Sequence, residues 1–386
     1  MHKIKISNEY KLIFFCTRLK IDSAIQKKIK ELLNSSINWD KIIEIYNYHQ
    51  VLPLLYYNLT KLNFQDFIPQ DIYSILKNSY YINLNRNIRF YRELSCILEL
   101  TNRALINVVL LKGINLIETI YRNLALRTIV DIDILVTDSE LMSFRALLFQ
   151  LGYREIIKNF SPAYIQKHRI TFSFIKSISP NLSLYIDIHR ALVPPRPYKI
   201  DLSGFWERSQ THSIDGQKIL FLSFEDTLLS LALHLRGHMR QPLLLKSICD
   251  IAELLNRYGT SLDWQYIHVT AKKNRMANDI YFAIYISKEL LDACISSELL
   301  NKFKPGVLKV KLIHLCMNKY NFLEAKIWQG ILLRFLLFDK PIDFILYLWR
   351  VSFLERFIAR GDLRKIFTEK INKKVPPINT TETTKK

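Results

Sequence analysis

The stretch Leu126–Val136, "LRTIVDIDILV", places two aspartates inside a β-branched, apolar run. In a strand, residues i and i+2 point to the same face, so Asp131 and Asp133 share one side while Ile132 and Ile134 point to the other. Two carboxylates about 7 Å apart along a strand repel each other unless a cation lies between them. Oxygen ligands on a rigid strand suit Mg²⁺, which completes its shell with water and phosphate oxygens. The stretch therefore predicts a strand with one apolar face and one metal-binding face.

A second apolar run carries a third carboxylate. "LYIDIHR" places Asp187 between Ile186 and Ile188, and His189 follows at i+2, directed toward the same site. If the two strands are neighbours, three carboxylates can form a two-metal site suited to phosphoryl transfer. Asp-x-Asp alone is also common at loop ends and on solvated strand faces, and a partly exposed strand-end histidine is the plain alternative for His189. The apolar neighbours and the preceding "LLKG" favour the metal site.

The pattern around these runs predicts a compact α/β unit from about Ala104 to about Leu192. Thr137 and Asp138 suit the start of the intervening helix, and Gly152 suits its end. The segments before and after this unit carry apolar residues at helical spacing. We therefore expect an α+β fold, with a small mixed sheet flanked by N-terminal and C-terminal helical regions. Strand-like runs are "INVVLL", "TIVDIDILV", "YREIIKNF", "RITFSFIKS" and "NLSLYIDIH".

The chain divides into four predicted regions. They are an N-terminal helical region at 1–101, an α/β core at 102–200, a C-terminal helical domain at 201–300, and a basic amphipathic helical extension with a disordered tail at 301–386. The Pro-rich stretch "VPPRPYKIDLSGFW" reads as a linker, and helices are expected after it. Pro53 marks a helix break or a helix start.

The composition is that of a globular protein, with 49% hydrophobic and 23% charged residues in 386. The formal charge of +20 suits nucleic acid, an anionic membrane surface or phosphorylated substrates, and an AT-rich coding sequence explains it equally well. Nine glycines argue against a Gly-rich phosphate loop or a β-propeller. The five scattered cysteines show no zinc spacing, which predicts reduced, mostly buried thiols. No signal peptide and no transmembrane helix are expected.

Three further features have both a functional and a structural interpretation. His234 and His238 share a helix face, but no third ligand is evident, so a structural pair or a pair facing a cleft is favoured over zinc. Asp250 is a weaker cleft candidate, with capping or ion pairing as its alternative. The stretch 344–358 has helical apolar spacing, and we favour an amphipathic helix packed on the body over a membrane-surface helix.

The ordered set "VVLLKGINLIETIYRNLALRTIVDIDILVTDSELMSFRALLFQLGY" followed by "IDIH" resembles the uncharacterised nucleotidyltransferase family of the DNA polymerase beta superfamily. The helical segments on both sides also resemble that family, so the likeness spans roughly Trp39 to Leu300. Most superfamily members carry Gly-Gly-Ser or Gly-Ser at the first turn. Here the turn is Leu111-Lys112-Gly113-Ile114 without serine, which agrees with the narrower family and places serine–phosphate contacts in doubt.

The resemblance implies a role for each matching residue. Asp131, Asp133 and Asp187 would be the catalytic and metal-binding carboxylates, with Asp187 at the usual general-base position. The nucleotide-binding set would comprise the residues of the first turn, the arginine before the aspartate pair and the strand-end histidine: Lys112, Gly113, Arg127 and His189. Arg127 would grip a phosphate through both arms of its guanidinium.

The resemblance also implies the activity. We expect a cytoplasmic enzyme that uses Mg²⁺, or Mn²⁺, to transfer an NMP from an NTP, with ATP expected, to an acceptor hydroxyl or phosphate. The acceptor is a small molecule, a sugar, a peptide or a protein, as in polysaccharide or modified-peptide tailoring. A catalytically silent nucleotide- or partner-binding protein and a nucleic-acid-binding protein are the alternatives. Weak contact of 341–366 with the anionic inner face of the membrane is also considered.

Overall fold

A computed structural model describes residues 7–156, 171–180, 182–192, 203–237, 244–318 and 327–348. Its centre is a seven-stranded mixed sheet in the order β3-β4-β5-β2-β1-β7-β6. The strands are β1 (Val109–Leu110), β2 (Ile132–Leu135), β3 (Arg154–Glu155), β4 (Thr171–Ser179), β5 (Leu182–His189), β6 (Gln210–Ile214) and β7 (Gln217–Phe221). β2 is parallel to β5, and β1 is parallel to β7, while the remaining neighbours are antiparallel.

Five helices precede the sheet, as the helical spacing predicts. Side-chain oxygens of Asp22 and Asn38 accept backbone hydrogen bonds at the starts of the second and third helices, so these ends are capped. Pro53 lies in the first turn of the fourth helix, where its missing N–H has no cost. The helices are α1 (Asn8–Cys16), α2 (Ser23–Leu33), α3 (Trp39–His49), α4 (Leu52–Lys61) and α5 (Gln70–Arg103).

The remaining helices lie between strands or follow the sheet. A short helix α6 (Ile114–Leu116) runs into a π-helical turn at Ile117–Tyr121, and α7 (Leu141–Gln150) connects β2 to β3. The later helices are α8 (Ser203–Glu207), α9 (Phe224–Gly237), α10 (Leu245–Tyr258), α11 (Trp264–Lys273), α12 (Ala277–Leu291), α13 (Ser297–Phe303), α14 (Val307–Asn318) and α15 (Ile327–Leu337). Residues 341–348 are also helical.

The expected fold class is confirmed, because a mixed sheet has helices packed on both of its faces. Ile132 and Ile134 of β2 lie in an apolar cluster with α5 and α7 on one face. Leu135, which points the other way, lies in a second cluster with the N-terminal and C-terminal helices. The face that carries the aspartates is therefore turned toward the cluster formed by the N-terminal helices and the helices that follow the sheet.

The β6–β7 hairpin corrects the expectation of helices alone after the linker. In "QTHSIDGQKILF", Asp215-Gly216 forms the turn, and both turn residues have positive φ, at 49° and 77°. Asp-Gly is favoured there because such a two-residue turn needs left-handed backbone at both positions. The sheet thus extends past residue 200, into the region assigned to the C-terminal helices. The four-region division itself stays a prediction.

Other expectations are confirmed in part or lie outside the described residues. Gly152 has φ +81° after α7, as a helix-ending glycine should. All five cysteines are free, but Cys96 and Cys294 are exposed, so "mostly buried" was too strong. No helix in the described chain is long and apolar enough to cross a membrane. Most of the linker and all of the tail from 349 onward lie outside the described residues.

Candidate active site

The three aspartates meet on one face of the sheet. β2 and β5 are parallel neighbours, and their register places Asp133 beside Asp187. Adjacent strands are about 4.8 Å apart, and registered residues on neighbouring strands point to the same side. Asp131 lies just before β2 and, at i−2 from Asp133, belongs to that face as well. The structure therefore brings together the carboxylates that the sequence separates by more than fifty residues.

Asp133 is the most deeply buried of the three, with 7% of its surface exposed. One carboxylate oxygen, Oδ1, is 2.8 Å from His189 Nε2, and the other, Oδ2, is 3.2 Å from Lys112 Nζ. Burial alone would raise the pKa of Asp133, but the Lys112 charge and the His189 hydrogen bond together hold that pKa well below its usual value. Asp133 is therefore ionised at neutral pH although it is buried.

Lys112 and His234 extend this network toward α9. Lys112 Nζ lies 3.1 Å from His234 Nδ1, on the helix that follows the sheet. Because an ammonium only donates, Nδ1 is the acceptor, which assigns the neutral tautomer with its proton on Nε2. His234 thus contacts the lysine of the first turn, while His238 lies outside the described residues.

His189 is held from both sides of its ring. Its Nε2 reaches Asp133, and its Nδ1 is 3.4 Å from the Thr171 hydroxyl on the adjacent strand β4. The contacts with Thr171 and Asp133 at opposite nitrogens fix the orientation of the ring. His189 therefore positions Asp133.

Gly113 adopts a backbone conformation that few side chains allow, with φ +61°. A Cβ atom there would lie 3.6 Å from the Asp131 carbonyl oxygen and 3.8 Å from Arg127 Nη1. The turn that carries Lys112 is therefore close to the start of β2, and glycine is favoured there by the positive φ, since these distances are ordinary van der Waals contacts. The sequence correctly placed this turn beside the aspartates.

Arg127 has a different environment from the one its proposed phosphate contact requires. Its Nε donates to Asp250 Oδ1 and its Nη2 to Asp250 Oδ2, both at 2.8 Å. Tyr121 also donates to Asp250 Oδ1 at 2.8 Å, and all three side chains are buried. The bidentate edge of Arg127 is thus occupied by a carboxylate, which is incompatible with a bidentate phosphate grip through that edge. Asp250 has the ion-pairing role that was its alternative interpretation.

Comparison with protein families gives one match. Residues 35–292, more than half of the chain, match the model of a family described as uncharacterised nucleotidyltransferase. The chain belongs to this nucleotidyltransferase family. It is accordingly an enzyme of phosphorus-group transfer. Neither the curated proteins nor the solved structures yield a match.

The donor set of the nucleotidyltransferase suits a hard divalent cation, since three carboxylates share one face and Asp133 is held ionised. In the described residues, however, no group of three or more His, Cys, Asp or Glu side chains is gathered closely enough to hold a metal. The carboxylate of Asp133 instead has Lys112 and His189 as partners. Metal binding would therefore require Lys112 to leave Asp133 and the carboxylate tips to rotate toward one another.

Two hydrogen-bond contacts of the nucleotidyltransferase were not predicted from the sequence: Lys112 with His234, and Tyr121 with Asp250. His234 was considered only together with His238, and Tyr121 was not considered at all. Helical spacing could not reveal either contact, because both residues reach partners more than a hundred positions away in the chain. The available signals were a histidine and a tyrosine at otherwise apolar helix positions.

Proposed function

We propose that this nucleotidyltransferase uses Mg²⁺ to transfer an NMP from an NTP, with ATP expected, to an acceptor hydroxyl or phosphate. The observation that carries the proposal is the parallel register of Asp133 with Asp187, with Asp131 on the same face. Membership of the wider DNA polymerase beta superfamily is part of the proposal, since three carboxylates on adjacent strands are what the resemblance implies. Acceptors of the kinds named above remain the expected substrates.

Each of the site residues would have a separate role in the reaction. Asp131, Asp133 and Asp187 would hold the cation, which when bound neutralises phosphate charge and lowers the pKa of an attacking hydroxyl. Lys112 would move from Asp133 to the phosphates as the carboxylate gains a new partner. Asp187 would accept the acceptor's proton as the new bond to the α-phosphorus forms and the bond to pyrophosphate breaks. His189 would keep Asp133 in one orientation.

Calorimetry with a nonhydrolysable ATP analogue, with and without Mg²⁺, tests this proposal. The wild type should bind only with the metal, and the Asp131→Asn/Asp133→Asn variant should lose that binding. Asp138→Asn is the matched control, because it makes the same chemical change at an exposed aspartate of the following loop. If neither wild type nor variant binds any of the four NTP analogues, the silent-binder interpretation replaces the enzyme site.

Peripheral contact with an anionic membrane surface remains part of the proposal and has one supporting observation. Among the residues that the structure describes, 18 large hydrophobic residues are exposed, and 11 of them lie between Val307 and Leu348. On 341–348, Ile342, Ile345 and Leu346 are exposed at helical spacing. Phe344, by contrast, packs against Phe335 at 4.9 Å between ring centroids, as a helix on the body should.

Co-sedimentation with vesicles tests the membrane contact. The wild type should bind vesicles containing anionic lipid more than neutral vesicles, because exposed lysines border the apolar residues. Ile345→Ser/Leu346→Ser should weaken that binding, and Leu105→Ser, a change at a more exposed apolar residue elsewhere, is the control. Equal binding by all three proteins would reject this surface.

A further inference from the structure

Arg86 lies on α5 where this helix is anchored to the segment that leads into β2. Asn83 Nδ2 donates to the Ala125 carbonyl at 2.7 Å. Asn87 Nδ2 donates to the carbonyls of Leu124 and Arg127, at 2.6 and 2.8 Å. These contacts hold this part of α5 against the segment that ends at Asp131.

Two of the three guanidinium nitrogens of Arg86 are shielded from solvent and poorly satisfied, although the residue as a whole is half-buried. Its Nε and Nη2 atoms are buried and have no hydrogen-bond acceptor among the described residues. Its guanidinium carbon lies 5.8 Å from the centre of the Phe90 ring, a contact that takes up no N–H donor. Burial lowers the pKa of Arg86 to about 10, and the nearby charge of Asp131 opposes that shift. Arg86 is half-buried, and its guanidinium therefore remains a cation whose charge interacts with that of Asp131.

Arg127 is an arginine with a structural role and can be compared with Arg86. The Nε and Nη2 donors of Arg127 both end on Asp250, so its charge and its hydrogen bonds are satisfied within the fold. The same two donors of Arg86 have no such partner among the described residues. Buried donors without acceptors cost free energy of folding, and an anionic ligand would satisfy them.

We propose that Arg86 is an anion-binding residue of the active site and that it receives phosphate oxygens of the nucleoside triphosphate. This inference rests on the proposed function. Phosphate oxygens suit a planar guanidinium, which can donate two parallel hydrogen bonds to them. The bidentate edge of Arg127 is occupied by Asp250. Arg86 therefore makes the bidentate phosphate contact that the resemblance assigned to Arg127.

Two opposite effects distinguish this role from a structural one. Arg86→Met keeps the length and the apolar stem but removes charge and donors. Without nucleotide, it should leave the melting temperature unchanged or raise it, because unsatisfied buried donors disappear. With nucleotide, it should weaken binding by about 10- to 100-fold, the size expected for a charged hydrogen-bonding group.

The experiment measures both quantities on the full chain, with the nonhydrolysable ATP analogue and Mg²⁺ as ligand. Arg86→Lys should lie between wild type and Arg86→Met, since it retains the charge but loses the fork. Arg89→Met is the matched control, because Arg89 is an exposed arginine three residues further along α5 that donates to Ser179 Oγ. This control should bind the analogue as the wild type does.

Either of two results would overturn the assignment of Arg86. One is unchanged analogue binding by Arg86→Met while the wild type binds. The other is a melting temperature of the nucleotide-free Arg86→Met variant that falls well below that of Arg89→Met, which would make Arg86 structural. Failure of the wild type to bind any of the four NTP analogues is a separate result, which rejects the proposed function and this inference with it.

Discussion

Asp133 and Asp250 are both buried aspartates with cationic partners, yet their surroundings differ in kind. Asp250 has both oxygens bonded by the two nitrogens of one arginine, and Tyr121 adds a third hydrogen bond. Asp133 has a lysine on one oxygen and a histidine on the other. The first arrangement is a rigid bidentate pair, whereas the second consists of single contacts made by two separate side chains.

The difference indicates which carboxylate can change partners. An arginine fork matches a carboxylate geometrically, and opening it would leave two buried charges uncompensated. A lysine is a point charge on a flexible stem, and it can leave Asp133 for a phosphate while the carboxylate binds a cation. We therefore interpret Asp250 as part of the contact between α10 and the core, and Asp133 as part of the reaction site.

The largest effect expected is on activity at Asp133. Asp133→Asn should lower NMP transfer by on the order of 10³-fold or more, comparable to the loss of one preorganised electrostatic group, with folding retained. Transfer of labelled NMP to acceptor is the measurement, and Asp138→Asn is the control. Unchanged turnover in Asp133→Asn would contradict the assignment of Asp133, in contrast to Asp250, to the reaction site.

Asp250 should respond through stability instead. Asp250→Leu leaves Arg127 as an unpaired buried charge and should cost about 3 kcal/mol of unfolding free energy, measured by denaturant unfolding. The double variant Asp250→Leu/Arg127→Met should recover much of this loss, because no charge is left uncompensated. If the double variant is stable but has lost analogue binding, Arg127 contacts the nucleotide after all.

Lys112 tests whether the contacts of Asp133 are exchangeable. Lys112→Met should raise the KM for NTP by about 10- to 100-fold, as expected for a charged hydrogen bond to phosphate. It should also strengthen binding of Mg²⁺ alone, because Lys112 no longer competes for Asp133. Calorimetry with MgCl₂ checks the second effect, and Lys77→Met, at an exposed lysine of α5, is the control. Weaker Mg²⁺ binding in Lys112→Met would contradict the proposal that Lys112 leaves Asp133 when the cation binds.

A pH-dependent effect concerns the same α10 contact, at its N-terminal end. His49 is buried, accepts a hydrogen bond from the Leu245 N–H, and has its pKa lowered by burial to about 4. His49 therefore becomes protonated below about pH 6.5 in the unfolded chain but only below about pH 4 in the folded chain. As the pH is lowered from about 6.5 to about 4, the free energy of unfolding should therefore decrease by at most about 1.4 kcal/mol per pH unit.

Unfolding free energies between pH 4 and 7 measure this slope. His49→Gln should flatten it, since glutamine can accept the same hydrogen bond without titrating. NTP binding at pH 7 should be the same in both proteins, because His49 belongs to the α10 contact and not to the site. An equal slope in wild type and His49→Gln would assign the pH dependence to other groups.

Much of the fold followed from local sequence. Alternation in "DIDIL" and "YIDIH" predicted which residues face the core, and Pro53 and Gly152 marked helix ends correctly, whereas α7 begins at Leu141 and not at Thr137 or Asp138. The β6–β7 hairpin was missed although Asp215-Gly216 signals such a turn, because the segment lies between a proline-rich stretch and strong helices. The carboxylate positions were predicted well because strand period is a local property.

What the sequence by itself determined is a set of chemical groups and the face of each strand on which they lie. The choice of partners was decided only by tertiary structure. Arg127 is six positions from Asp133 but pairs with Asp250, and Lys112 bonds His234 from a distant helix. The physical reason is that hydrogen bonds between side chains depend on distances of about 3 Å, and packing of α5, α9 and α10 on the sheet sets those distances.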